Sequence, residues 1–149
     1  MVEIKRIQKA SPAILKKINS FVSQMSLSST PPKLMTKDYF YSLVAQPNFH
    51  FLVALDAGTK KIIGMISVYF VKMPHGLNCF ASDLFVETPY RKWGIGPLLV
   101  KKAIELAREN RARHINMRTN PKRVEADRLY RALGFRRMET NFYRINLFK

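Results

Sequence analysis

The sequence predicts a single α/β domain built on a mixed β-sheet with helices on its flanks. Three observations support this fold class. Helical and strand-like patterns alternate along the chain, three strand-like runs follow one another in the middle, and the third run is apolar in both alternate sets. With 149 residues, 47% of them hydrophobic, the chain has the size of one domain, so residues 1–149 are expected to fold as a unit.

The N-terminal part predicts one strand and two helices. Apolar residues in Val2–Ile7 indicate the strand, and Ser11-Pro12 reads as a helix N-cap followed by the first helical residue. Apolar residues continue at helical spacing to Met25. A second helix is expected to start at Thr36 and to end before Pro47.

Three strands follow, at residues 49–55, 62–71 and 79–87, separated by turn sequences rich in Gly, Pro and Asp. Because the third of these runs is apolar on both sides, it is expected to be covered on both faces of the sheet. Strict alternation would place Phe80, Leu84 and Val86 on one face and Cys79, Ala81 and Phe85 on the other.

The second half of the chain predicts two more helices and the remaining strands, which gives the element order β-α-α-β-β-β-α-β-α-β. The predicted elements are a helix from Pro97 to about Asn110, a strand at His114–Arg118, a helix at Val124–Leu133 stopped by Gly134, a short additional strand at Arg136–Glu139 and a last strand at Phe142–Phe148.

Cysteine and histidine are too few to build a disulfide scaffold or a structural zinc site. The chain has one cysteine, Cys79, and 3 scattered histidines. No metal is therefore expected. The N-terminus shows no signal-peptide pattern and no window of 18 uninterrupted apolar residues occurs, so a reducing cytoplasm is the expected location.

The net charge of +16 predicts an anionic molecule among the partners. Such a field raises the local concentration of phosphates, nucleic acid or acidic membrane without choosing among them. A general solubility bias would produce the same composition, so the charge by itself does not identify a partner.

The segment Arg91–Gly96 is the strongest candidate for a phosphate-binding turn. Gly94 and Gly96 stand just before a predicted helix start, where a tight turn exposes backbone N–H groups next to the positive end of the helix dipole. Leu99 stands where a dinucleotide fingerprint needs a third glycine, and the Lys-Ser/Thr of a Walker loop is absent. A plain strand-to-helix connection remains the alternative.

Two motifs together resemble the GNAT family of N-acetyltransferases. The run Ser82–Gly96 contains the family's Arg/Gln-x-x-Gly-x-Gly/Ala signature, and Glu125–Phe135 is similar to its Ala-x-x-Leu-Tyr-x-x-x-Gly-Phe helix. The ending Glu139–Arg144 resembles a bacterial branch of the family. The resemblance covers about the last half of the chain, and the order of the predicted elements agrees with it.

The resemblance implies acetyl-CoA as co-substrate and assigns residues to it. The main chain of Leu84, Phe85 and Val86 would pair with the pantetheine amides, a role compatible with buried side chains. Whether Trp93 packs on the sheet or lies near the cofactor stays open. The turn that would wrap the pyrophosphate consists of Arg91, Lys92, Trp93, Gly94, Ile95 and Gly96.

Tyr130 is the residue that the resemblance identifies as catalytic. When the tetrahedral intermediate collapses, a thiolate leaves, and a phenol with a pKa of about 10 can protonate the departing sulfur. The alternative is a tyrosine that only packs between a helix and the sheet.

The general base is harder to identify, because Ser82 stands where the bacterial branch commonly carries a glutamate. Asp83 is the candidate, with Glu87, a water chain or deprotonation in solvent as alternatives. Two further departures bear on acetyl-CoA affinity. Asp127 replaces the usual cofactor-binding asparagine, and Pro97 lacks an N–H at the helix start.

The leading prediction is therefore an N-acetyltransferase that moves acetyl to a primary amine by direct attack in a ternary complex. The acceptor is open among small neutral or acidic amines, protein amines and aminoacyl-tRNA, and a homodimer is a further expectation. The departures at Ser82, Asp127 and Pro97 motivate the alternative of a non-catalytic CoA- or RNA-binding module. A DNA-binding protein is disfavoured because no such motif occurs.

Overall fold

A computed structural model describes residues 1–27 and 29–148 of the chain. The described residues fall into two compact units, Met1–Arg118 and a second that begins at Thr119. None of the described helices is long and apolar enough to span a bilayer. The elements are β1 (Val2–Arg6), α1 (Pro12–Met25), α2 (Lys37–Ala45), β2 (Phe49–Asp56), β3 (Ile62–Met73), β4 (Gly76–Val86), α3 (Ile95–Glu109), β5 (Ile115–Met117) and α4 (Val124–Ala132).

The first unit contains a five-stranded sheet with the strands in chain order, β1-β2-β3-β4-β5. The first four strands pair antiparallel, and β5 pairs parallel with β4. This mixed sheet with its accompanying helices confirms the predicted fold class. The cap of the first helix forms as expected, because Ser11 Oγ accepts from the Ile14 N–H at 3.2 Å. Thr36, where the second helix was expected to start, is its N-cap, and Thr36 Oγ1 accepts from the Tyr39 N–H at 3.2 Å.

Helices cover both faces of the sheet. On one face, Phe21 of α1 and Phe40 of α2 pack with strand residues such as Phe51 and Met65 in a buried cluster. On the other face, α3 contributes its buried Leu99, whose Cδ1 would lie 3.4 Å from a Cβ built on Gly64. Burial of these aromatic and aliphatic side chains is the main contribution to the stability of the unit.

A β-bulge interrupts the pairing of β3 with β4. Ser67 lies opposite Ser82 and Met65 opposite Phe85, so Ile66 alone faces two residues of β4. The first of these, Asp83, has a φ of 58°, in the left-handed region.

The bulge corrects the predicted faces of β4. Cross-strand partners share a face of the sheet, and Phe80 pairs with Tyr69 while Phe85 pairs with Met65. Tyr69 and Met65 each lie two positions from Ser67 along β3, so they are on the same face. Phe85 therefore lies on the face of Phe80, under α1, and not with Cys79 and Ala81 as strict alternation predicted. Val86, opposite Gly64, lies on the face of Cys79 and Ala81 and not on that of Phe80. The extra residue in the bulge shifts the alternation by one position.

The start of α3 also differs from the prediction. The helix begins at Ile95, two residues before Pro97, with Gly94 as its N-cap. Proline fits within the first helical turn, where its missing N–H would have no intrahelical acceptor. Pro97 therefore marks the first turn and not the first residue.

The two strands predicted near the C-terminus are wrong for the described residues. Neither Arg136–Glu139 nor Phe142–Phe148 forms a strand. Apolar side chains of both alternate sets are exposed here, with Tyr143 at 85% and Phe148 at 90% of their full exposure. Alternation predicts a strand only where a neighbouring strand takes up the backbone hydrogen bonds and one face is buried, and this segment shows neither.

Gly64 is expected to be required for the close contact between β3 and β4. A Cβ at this position would lie 2.9 Å from the Phe85 carbonyl oxygen, a backbone atom that cannot move aside. Gly64→Ala should therefore lower the free energy of unfolding by about 1–3 kcal/mol in urea denaturation. The matched control is Gly58→Ala, where the nearest atom is 3.4 Å away. Equal stability of the two variants would contradict this close-packing account.

Candidate active site

The C-terminal half of β4 has an open edge. The described pairing of β4 with β5 ends at Ala81 opposite Met117, although β4 continues to Val86. The Glu87 N–H donates to the Ile63 carbonyl on β3, at 2.9 Å. Because main-chain groups alternate along a strand, the N–H and C=O of Val86 point to the opposite, open edge. An extended amide-containing ligand could pair there with the strand.

The connection from β4 to α3 is a tight turn. It contains a 3-10 turn at Thr88–Tyr90, and Lys92 and Gly94 have positive φ values of 67° and 77°. A Cβ on Gly94 would meet no atom within 4 Å. Its backbone conformation, and not a lack of space, is what favours glycine at this position.

The first turn of α3 offers unpaired N–H donors. The first N–H groups of a helix have no intrahelical acceptor, and Gly94 provides no side-chain cap. The buried Ile95 anchors this turn to the core. Pro97 removes a donor, yet the N–H groups of Ile95 and Gly96 remain at the positive end of the helix dipole. Donors in this arrangement could hold a phosphate group.

Arg91 and Trp93 differ in their surroundings. Arg91 Nε donates to the Val86 carbonyl at 2.9 Å, and its guanidinium carbon lies 5.5 Å from the centre of the Phe85 ring. Trp93 packs edge-on against Tyr90, with ring centres 5.4 Å apart, and remains 65% exposed. Trp93 thus lies on the turn and leaves most of its ring available to a ligand.

Two carboxylates lie near the end of β4, and their partners differ. Glu87 accepts a hydrogen bond from Lys17 on α1, and both side chains are partly buried. Asp83 is exposed, and its Oδ2 accepts a hydrogen bond from Ser82 Oγ at 3.2 Å. Asp83 is therefore the carboxylate that lacks a described cationic partner and stands beside a hydroxyl. Among the described residues, no group of three or more His, Cys, Asp or Glu could hold a metal ion.

The other predicted site residues belong to α4 in the second unit. Asp127 accepts from Arg131 Nε at 3.0 Å in an exposed i,i+4 ion pair. The Tyr130 ring lies 5.8 Å from that of Phe135, and the Phe135 N–H donates to the Tyr130 carbonyl. Burial raises the pKa of the Tyr130 phenol above its ordinary value, while the Arg123 charge opposes the shift. The phenol therefore carries its proton at neutral pH.

Sequence reasoning missed two residues near this part of β4. Lys17 pairs with Glu87, and the buried Ser67 lies opposite Ser82. Neither belongs to a motif, and each is distant in sequence from its partner. Only the helical spacing of α1 and the strand pairing could have indicated them.

Comparison with known proteins identifies the family. A family model described as "Acetyltransferase (GNAT) family" matches residues 18–135 of the chain. The chain therefore belongs to the GNAT family and is an acyltransferase. The GNAT family uses acetyl-CoA as co-substrate.

Particular relatives agree with this assignment. An aminoalkylphosphonate N-acetyltransferase of Salmonella typhimurium strain LT2 is 32% identical over 108 residues, which cover 71% of this chain and 69% of that protein. The fold is similar to that of a Bacillus halodurans C-125 transcriptional regulator, with a TM-score of 0.80, 24% identity and 99% and 100% coverage. An aminoglycoside acetyltransferase from an uncultured soil metagenomic sample, in complex with trehalose, has a TM-score of 0.79, 22% identity and 99% and 97% coverage.

The raised pKa of Tyr130 is directly measurable. The ultraviolet absorbance of phenolate is compared between the wild-type protein and Tyr130→Phe as the pH is raised. The difference should show that Tyr130 ionises above pH 10. Because the folded state favours the protonated phenol, this residue contributes stability below the unfolded-state pKa of about 10, which is lost as the pH rises through the folded-state pKa. Ionisation at or below pH 10 would contradict the burial described for this side chain.

Proposed function

We propose that this protein is an acetyl-CoA-dependent N-acetyltransferase that transfers acetyl to a primary amine by direct attack in a ternary complex, with residues 1–149 acting as one domain. The observation that carries the proposal is the open edge at the end of β4. A tight turn connects this end of the strand to the start of α3, which Gly94 caps. This arrangement offers main-chain partners for amides followed by donors for an anion. Pantetheine and pyrophosphate follow one another in the same order in CoA.

The residues present fit acetyl-CoA as the substrate. The main chain of Leu84 and Val86 pairs with the pantetheine amides, and the N–H groups of Ile95 and Gly96 hold the pyrophosphate. Phe85, which the sequence grouped with them, is left out of this pairing because its carbonyl faces Gly64 on β3. The Val86 carbonyl already accepts from Arg91, so binding exchanges one hydrogen bond for another at this atom. Arg91 is then released to meet a phosphate oxygen, together with Lys92.

The chemistry needs one proton removed and one proton supplied. The nitrogen lone pair of the amine attacks the thioester carbon, and the nitrogen loses a proton to the base, for which Asp83 is our candidate. As the carbon–sulfur bond breaks, Tyr130 gives its proton to the departing thiolate. The phenol is in its protonated form before the step, because a tyrosine pKa of about 10 already keeps the proton at neutral pH and burial only raises that pKa.

We further propose that the acceptor is a small amine that carries an anionic group. The net charge of +16 attracts such molecules and disfavours polycationic acceptors. The Salmonella typhimurium relative is named for aminoalkylphosphonates, which are acceptors of this kind. Protein amines, aminoacyl-tRNA and a homodimer remain predictions from the sequence.

Calorimetric titration of acetyl-CoA into the protein tests the binding site. It is done at about 0.15 M salt, which screens the diffuse attraction of acetyl-CoA to the basic protein surface. The wild type should bind one equivalent, and Gly96→Glu should abolish saturable binding, because a carboxylate would stand where the pyrophosphate binds. Gly58→Glu is the control, with the same change of charge in the exposed β2–β3 turn. Equal binding by Gly96→Glu and the control would refute the site.

Replacement of Tyr130 tests the proposed acid. With the best acceptor from a panel that includes 2-aminoethylphosphonate, Tyr130→Phe should lower kcat by about 10²-fold, the lower range for a general acid, and leave acetyl-CoA affinity unchanged. Tyr143→Phe, at a side chain that is 85% exposed, should keep the wild-type rate. An unaltered kcat in Tyr130→Phe would exclude the role. CoA binding without release of free CoA from any amine would favour the non-catalytic module.

A further inference from the structure

The Ser67 hydroxyl is the buried polar group that most needs an explanation. Ser67 is only 1% exposed, and its Oγ has no hydrogen-bond partner among the described residues. A buried hydroxyl without a partner destabilises the folded state. Such a group needs an explanation, and a catalytic role is one of those that apply in folded proteins.

The position of Ser67 connects it to the open edge of β4. Ser67 lies directly opposite Ser82, so both side chains stand on the same face of the sheet. Directly opposed Cβ atoms lie about 4.5–5.5 Å apart, which brings the two hydroxyls within hydrogen-bond reach by rotation about χ1. Ser82 is partly exposed and already donates to Asp83 Oδ2 at 3.2 Å. The series Ser67, Ser82, Asp83 therefore runs from a buried hydroxyl to an exposed carboxylate.

The bulge brings Asp83 beside Ser82. In a regular strand, neighbouring side chains point to opposite faces and cannot pair readily. The φ of 58° at Asp83 breaks this alternation, in a backbone conformation that is strained for a residue with a Cβ. The alternative carboxylate, Glu87, is engaged by Lys17.

We propose that Ser82 relays the proton of the attacking amine to Asp83, and that Ser67 is the positioning residue that orients the Ser82 hydroxyl. This inference rests on the proposed acetyl transfer. Ser82 then occupies the position of a carboxylate base, and the carboxylate that accepts the proton, Asp83, is one residue further along the chain.

The relay balances in a single step. The nitrogen lone pair forms the C–N bond, an N–H bond breaks, and its proton passes to Ser82 Oγ. The original Ser82 hydroxyl proton moves at the same time to the Asp83 carboxylate, which later releases it to solvent. In the reacting state, after rotation about χ1, the Ser67 hydroxyl donates to the second lone pair of Ser82 Oγ. This leaves one lone pair for the amine and keeps the Ser82 proton directed at Asp83.

Variants of Ser82 test the relay with the best acceptor from the panel. Ser82→Ala should lower kcat by about 10²-fold with unchanged acetyl-CoA affinity, and Ser82→Thr, which keeps a hydroxyl, should recover most of the rate. Asp83→Asn should lower kcat to a similar extent. Ser23→Ala, on the exposed side of α1, is the control and should keep the wild-type rate.

Ser67→Ala separates positioning from a structural role. It should lower kcat by roughly 3- to 10-fold, the value of one hydrogen bond, while stability to urea stays equal or rises because an unsatisfied hydroxyl is removed. The double variant Ser67→Ala with Ser82→Ala should be no slower than Ser82→Ala alone, since Ser67 acts only through Ser82.

The outcomes distinguish the relay from the proposed function. Wild-type kcat in Ser82→Ala, or additive losses in the double variant, would overturn the relay. If Tyr130→Phe is slow while Ser82→Ala and Asp83→Asn are not, the relay is wrong and acetyl transfer stands. Absence of acetyl transfer in the wild type with every amine would reject both.

Discussion

The structure depends most on the point where β4 leaves β5. A strand inside a sheet satisfies its N–H and C=O groups on both edges, but among the described residues β4 has only β3 as a strand partner after Ala81. Main-chain polar groups that are not paired with protein must be paired with solvent or a ligand. The open edge therefore has a binding capacity that comes from the backbone. It does not depend on the side chains of Leu84, Phe85 and Val86, which remain free to pack.

The bulge at Asp83 is a second feature of β4 on which the structure depends. One extra residue moves Phe85 to the face of α1, where its ring centre lies 4.8 Å from that of Phe21. This packing offsets the strained backbone at Asp83 and holds it in place. The same shift brings a carboxylate next to Ser82. The packing of Phe85 in the core and the position of Asp83 beside Ser82 are thus determined by one local irregularity.

Charge acts over different distances in this protein. The net charge of +16 is a long-range property that raises the local concentration of anions, whereas the start of α3 acts only within its first turn. Ion pairs such as that of Asp127 with Arg131 are exposed and contribute little to stability. The pair of Lys17 with Glu87 has a local effect, because it leaves Asp83 as the less constrained carboxylate at the end of β4.

The sequence by itself determined the order of the elements through β5 and α4, the helix cap at Ser11, the start of the second helix near Thr36, and the glycine turn. Periodicity, capping and backbone conformation are local properties of the chain. It did not reveal the bulge, since an extra residue in β4 is defined only by the register against β3. It also predicted strands at Arg136–Glu139 and Phe142–Phe148 that the described residues do not form, because alternation carries no information about a pairing partner. The meeting of Ser67 with Ser82 was decided by tertiary structure alone, since strand pairing joins residues that no local pattern relates.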